Sequence, residues 1–208
     1  MSITPFQLRK MIQNEEFDYH LLCQALASYS GIRQKINEWL KRKVIIRVKK
    51  GLYVFGPEYS NNPICKETLA NLIYGPSAIS LEYALSYHGF IPERVETVTS
   101  ITPKRDKNFS TPIGNFTYRY LAMHKYPHSI QQSWFDNNHT FLIASPEKAL
   151  CDYVALNKIP TLKNPNETKI FLESDLRIDK TKWKQFKIRS LKELNKFYNN
   201  KNIQKFIY

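Results

Sequence analysis

Hydrophobic positions recur every three or four residues through the first forty residues of the chain. Phe6, Leu8, Met11 and Ile12 give one apolar side to a helix running to about Gln13, capped by Thr4 with Pro5 at its first position. Asn14-Glu15-Glu16 reads as a turn. Asp18 caps a second helix over residues 19–27, where Leu22 and Leu26 face one way with Leu21 and Ala25 beside them. A polar turn, Ser28-Tyr29-Ser30-Gly31, leads to a third helix over 32–43. Ile32, Ile36, Trp39 and Leu40 form its apolar stripe, and Gln34, Asn37 and Lys41 lie opposite. The period then drops to two. Val44, Ile46 and Val48 alternate with Ile45, Arg47 and Lys49, Gly51 supplies the positive φ of a tight turn, and Leu52–Phe55 returns as the second strand of a hairpin.

Periodicity is lost over Pro57-Glu58-Tyr59-Ser60-Asn61-Asn62-Pro63, a polar, proline-bounded stretch that marks a linker between residues 1–56 and 64–208. Beyond it the pattern predicts helices over 64–73 and 77–89, the second stopped by Gly89. It predicts strands over 95–101, 116–121 and 140–143. Ser145-Pro146-Glu147 starts a strong helix, with a capping hydroxyl, proline at the first position and an acid in the first turn; it is apolar along Ala149, Leu150, Tyr153 and Val154. The tail from Pro165 to Tyr208 reads as helical and lysine-rich. The expected fold is α+β: an N-terminal winged helix-turn-helix followed by a mixed α/β C-terminal domain.

Charge sharpens this picture. The chain carries 31 Lys and Arg against 18 Asp and Glu, a formal net charge of +13. A balance of that kind favours polyanionic partners, although solvated surface lysines produce it too. Cys23, Cys65 and Cys151 are odd in number and widely spaced, as expected of reduced thiols in a cytoplasmic protein. The first residues lack the basic-then-apolar pattern of a leader, and no apolar run approaches the ~20 residues that span a bilayer, so no membrane partner is expected.

Three short helices followed by a basic hairpin is the plan of a winged helix, and the chemistry of its third helix suits double-stranded DNA. Residues 31–50 hold eight Lys or Arg and one acid, Glu38. Gln34 and Asn37 are amides able to contact adenine in a bidentate way, and Arg33 can reach guanine or a phosphate. These three are the expected base readers. Lys35, Lys41, Arg42, Lys49 and Lys50 are the expected phosphate contacts, and Ser30 and Arg47 complete the DNA-binding set.

The segment GIRQKINEWLKRKVIIRVKKGLYVF resembles the N-terminal domain of the AbiEi-type abortive-infection antitoxins, through Arg47-Val48-Lys49-Lys50-Gly51-Leu52-Tyr53. Two further segments, GPSAISLEYALSYHGFIP and IASPEKALCDYV, resemble pieces of the same family. In order and spacing the three cover about residues 5–155. One departure is Lys43, where the family often has glycine before the wing. The tail after residue 160 has no counterpart. The resemblance implies a transcriptional repressor that binds repeats in its own promoter and acts as the antitoxin of a nucleotidyltransferase-like toxin, generally without a stable complex; whether the two proteins touch stays open.

Two other classes remain in view: a module that neutralises a toxin by direct contact, and a nuclease with a winged-helix targeting domain. Enzymatic signals are thin, and no catalytic residue, metal ligand or cofactor is expected. His124 and His128 are four apart, but Pro127 breaks the helix that would align them. The chain has no HExxH, nucleophile elbow or phosphate-binding glycine loop.

Overall fold

A computed structural model describes residues 3–136 and 139–207. Met1, Ser2, Asn137, Asn138 and Tyr208 lie outside the described residues; of the expected helices and strands only the tail, at Tyr208, reaches one of them.

The chain opens with α1 (Pro5–Met11), where Thr4 and Gln7 form a reciprocal capping box. Then comes β1 (Glu16–Asp18), followed by α2 (Tyr19–Ala25), capped by the Asp18 carboxylate on Leu21 N–H. Next are α3 (Ile32–Lys41), β2 (Ile45–Lys49) and β3 (Leu52–Phe55). β3 is the central strand of a three-stranded sheet, antiparallel to both β1 and β2. The expected turn at Asn14–Glu16 is shorter than read: the chain bends at Asn14 and Glu15, and Glu16 already belongs to β1. Three residues carry no alternation of their own, and pairing with β3 is what makes them a strand.

The hairpin also departs from simple in-and-out alternation, because both of its faces are covered. Ile45, Tyr53 and Phe55 join Leu8, Leu22, Trp39 and their neighbours in one hydrophobic cluster. Val48, Leu52 and Val54 join the larger cluster built from the rest of the chain. The uninterrupted run Leu52-Tyr53-Val54-Phe55, buried throughout, is the sequence counterpart of that double coverage. Gly51 turns the hairpin at φ +85°. Lys43, just before β2, holds φ +54°, a left-handed conformation that strains a side-chain-bearing residue.

The rest of the chain is a mixed sheet with helices against it. Its elements are α4 (Lys66–Ile73), β4 (Ala78–Ile79), α5 (Leu81–Tyr87), β5 (Val98–Thr102), β6 (Lys107–Thr111), β7 (Gly114–Tyr120), β8 (Ile130–Trp134) and β9 (Thr140–Ala144). They continue as α6 (Pro146–Leu156), α7 (Pro165–Ile170), a π-helical turn (Phe171–Asp175), α8 (Lys180–Trp183), α9 (Ile188–Tyr198) and α10 (Lys201–Lys205). The six strands run β6-β7-β5-β4-β9-β8, parallel at β5/β7 and β4/β9 and antiparallel elsewhere. The fold is therefore α+β. The expected helix over 77–89 begins later, because Ala78 and Ile79 pair with β5 and β9. The outer strands β6 and β8 were not expected: Lys107–Thr111 and Ile130–Trp134 are largely polar and exposed, as edge strands tend to be. The tail is helical in four short pieces, not one run. Among the described residues no helix is long and apolar enough to cross a membrane.

Residues 57–63 form no helix or strand, yet they are tied down. The Glu15 carboxylate, fully buried, pairs with Arg9 Nη2 at 2.8 Å. It also accepts hydrogen bonds from Ser60 Oγ at 2.9 Å and from the Asn61 and Asn62 amides at 3.3 and 3.0 Å. One residue on, Glu16 reaches into the second half. Its Oε1 accepts from Cys65 N–H at 3.2 Å, and its Oε2 lies 3.0 Å from His139 Nε2, an ion-pair distance without hydrogen-bond alignment. The other ring nitrogen of His139 is 2.7 Å from Asp136 Oδ2. Burial pushes the His139 pKa down, but the two carboxylates outweigh it and hold the imidazole above its ordinary value. A group raised in this way stabilises the folded state fully below its unfolded pKa of about 6.5 and loses that contribution as pH rises through the folded value. Urea denaturation should therefore find His139→Gln most destabilising relative to wild type at pH 6, with the gap narrowing at pH 8.5. A gap that widens with pH would mean that His139 is held neutral.

Candidate nucleic-acid interface

α3 sits on the first cluster through Ile36 and Trp39, both buried. Its stripe therefore faces inward, and Arg33, Gln34, Asn37 and Lys41 are left exposed on the opposite side. Arg42, just past the last turn, is exposed as well, as is Ser30 in the turn before the helix. Glu38, the lone acid of this helix, does not offset them freely. Its Oε2 is 2.8 Å from Lys35 Nζ and its Oε1 is 2.9 Å from Arg42 Nη1. Hydrogen bonds from Lys35 and then Arg42 hold its carboxyl below the usual range. The exposed face thus presents two amides and several cations with its only carboxylate already paired.

Lys35 is not on that face in the way its neighbours are. Its side chain is only 12% exposed and lies along the helix flank, with Nζ 5.4 Å from the Trp39 ring centre and 5.8 Å from that of Tyr29. On the hairpin, Arg47 is exposed opposite Tyr53, and Lys50 is exposed at the tip. Lys49 turns the other way: its ammonium donates to the carbonyl of Ile73, at the end of α4. Burial first, and then Lys107 and Lys104 nearby, lower its pKa. Eight of the ten expected residues are thus exposed together around α3 and the hairpin, while Lys35 and Lys49 are engaged within the protein.

A second polar constellation was not expected. On α6, Lys148 and Asp152 lie one turn apart, both fully buried, with Nζ 2.7 Å from Oδ1. Asp152 Oδ2 accepts from Ser80 Oγ at 2.7 Å, and the Tyr198 hydroxyl bonds to both Asp152 and Lys148. Lys148 also donates to Lys125 O at 3.1 Å. Burial pushes the Lys148 pKa down and that of Asp152 up, while the pairing opposes both shifts. Every polar residue of the Ser145-Pro146-Glu147-Lys148 segment has an architectural partner: Ser145 caps the helix and Glu147 accepts from Lys187 N–H at 2.8 Å. Two segments far apart in the chain are thus bonded to each other, Ser80 before α5 to Asp152 on α6. Ser80, Lys148, Asp152 and Tyr198 are all buried, and their bonds fasten α6 to the residues before α5 and to α9.

His124 and His128 lie in turns rather than on a helix; His128 stacks on Phe197 with ring centres 3.5 Å apart. Among the described residues no group of three or more His, Cys, Asp or Glu is placed to hold a metal ion. No protein-family model matches the chain, and no curated protein matches its sequence.

Proposed function

We propose that this chain is a DNA-binding transcriptional repressor of the AbiEi antitoxin type, acting on its own promoter. In this reading residues 1–56 are a winged helix-turn-helix: helix, strand, two helices and a hairpin, with the first strand against the hairpin's return strand. The observation that carries the proposal is the outer face of α3. Arg33, Gln34 and Asn37 stand exposed with no free carboxylate among them, and the hairpin that follows bears exposed Lys50 at its tip. A helix dressed in this way suits the major groove, with amides and arginine on base edges and flanking lysines on phosphates. Residues 64–208 are then the antitoxin-type domain, and the functional partner is a nucleotidyltransferase-like toxin.

The test is a salt titration of binding to a duplex from the DNA upstream of the gene, with a scrambled duplex alongside. Wild type should bind the promoter selectively and lose affinity steeply with salt. Gln34→Ala or Asn37→Ala should cost ~1–3 kcal/mol on the promoter alone, as expected for a bidentate base contact. Lys50→Ala should weaken both duplexes alike and flatten the salt slope by about one unit. Equal, weak binding of wild type to both duplexes would sink the repressor reading and leave the positive charge generic.

A further inference from the structure

The two edges of the six-stranded sheet differ in charge. The edge at β6 starts with Lys107, and Lys104 and Arg105 precede it in the chain. Charged side chains of this kind keep a sheet edge from pairing with another chain. At β8 that protection is missing. No Lys or Arg occurs between Tyr126 and Glu147, and Ile130-Gln131-Gln132-Ser133-Trp134 carries neither a charge nor a proline. β8 is nonetheless the last strand of its sheet, paired with β9 on one side only. Its other side offers backbone donors and acceptors to an incoming strand.

The side chains add an apolar surface to that edge. Successive residues of a strand alternate between faces, so Ile130, Gln132 and Trp134 share one face. The register with β9 sets Gln132 opposite Leu142 and Trp134 opposite Thr140 on the same face. Gln132, Trp134, Thr140 and Leu142 are all exposed, Trp134 to 61%.

Two arguments select a second copy of this chain as the occupant. Chains of net charge +13 repel one another, and an edge without cations is where that repulsion is weakest. The strand is also complementary to itself. A two-fold axis perpendicular to the sheet at Gln132 sets Gln132 against Gln132, whose amides both donate and accept, and sets Ile130 against Trp134 on either side. An axis at Ser133 would instead set Ile130 against Asp136, and one at Gln131 would set Trp134 against His128.

We propose that β8 pairs antiparallel with β8 of a second copy about a two-fold axis at Gln132, joining two six-stranded sheets into one. Two five-residue strands are a small contact beside the ~1,200 Å² of a standard interface, so the dimer is weak and grows with concentration. The proposal does not rest on the DNA-binding reading and is tested without DNA.

The experiment is sedimentation equilibrium of the full chain from micromolar to near-millimolar concentration. Wild type should move from the mass of one chain toward that of two. Gln132→Lys and Gln132→Glu change an exposed side chain, so each should unfold in urea as wild type does. Each alone should stay monomeric, because the axis sets like charges directly opposite one another. Mixed in equal amounts, the two variants should regain the dimer, with opposite charges facing across the axis. Asn108→Lys, exposed on the other edge strand, should dimerise as wild type does. Wild type that stays monomeric throughout sinks the proposal. A wild-type dimer that Gln132→Lys leaves intact also overturns it, because the contact then lies elsewhere. An equal mixture that stays monomeric excludes a two-fold meeting at Gln132.

Discussion

Asp152→Ala is expected to lower the unfolding free energy by about 3–5 kcal/mol, the usual cost of removing one partner of a buried ion pair. The reason is what remains behind. Lys148 is fully buried 2.7 Å from Asp152 Oδ1, and Lys125 O and the Tyr198 hydroxyl would then be left to hold its ammonium. Neither supplies charge, so Lys148 must either lose its proton or draw water into the core. Ser80 and Tyr198 lose an acceptor in the same step. Lys148→Met/Asp152→Leu should cost much less than Asp152→Ala, because it removes both charges and keeps the volume apolar. Urea denaturation of the three proteins provides the measurement. A single-variant loss under about 1 kcal/mol would mean that the pair is solvated and the network is not a keystone. The prediction also bears on the Ser-Pro-Glu-Lys-Ala-Leu segment: its acid and lysine act by fastening α6 to its neighbours in the fold.

The elements that could be read from the chain are those with local causes. Thr4-Pro5, Asp18 and Ser145-Pro146 each place a capping group before a helix, and all three helices start there. Gly51 and Gly89 mark left-handed positions that few other residues adopt cheaply. What stayed hidden depends on partners far along the chain. Glu15 and Glu16 look like surface acids, and both are buried against groups up to 123 residues away, as the Glu16–His139 pair shows. Lys148 and Asp152 have the spacing of an exposed helical ion pair, and their interior partners, Ser80 and Tyr198, lie 72 and 46 residues from Asp152. Strands β6 and β8 are edges with polar faces, so their hydrophobic pattern is faint. At the candidate interface, the helical period put Gln34, Asn37 and Lys41 opposite the apolar stripe of α3, and all three are exposed. The fate of Lys49 could not be read in the same way. Its neighbour Lys50 has identical local chemistry, and only the docking of the hairpin on α4 separates the two.

Gly56→Ala should be the second severe substitution, and it tests the base of the hairpin without touching a charged group. A Cβ at position 56 would lie 1.8 Å from Lys43 O and 3.0 Å from Lys43 C. These are backbone atoms, so no rotamer relieves the clash. The chain at Lys43 is already in a left-handed turn, bounded by hydrogen bonds from Lys43 N–H to Leu40 O and from Val44 N–H to Trp39 O. Moving that carbonyl therefore peels the end of α3 from the start of β2 and breaks the bond from Gly56 N–H to Val44 O. The cost should be about 3 kcal/mol, at the upper end for overpacking. Gly51→Ala is the matched comparison. Nothing lies within 4 Å of a Cβ there, and only its φ of +85° opposes the change, so about 1–2 kcal/mol is expected. If α3 and the hairpin form one DNA-binding surface, Gly56→Ala should also lose promoter affinity at temperatures where the protein remains folded. Gly51→Ala, which alters the tip but not the base, should keep selectivity for the promoter. Equal stability losses at the two glycines would show that the contact between Lys43 and Gly56 gives way easily, and that the surface does not depend on it.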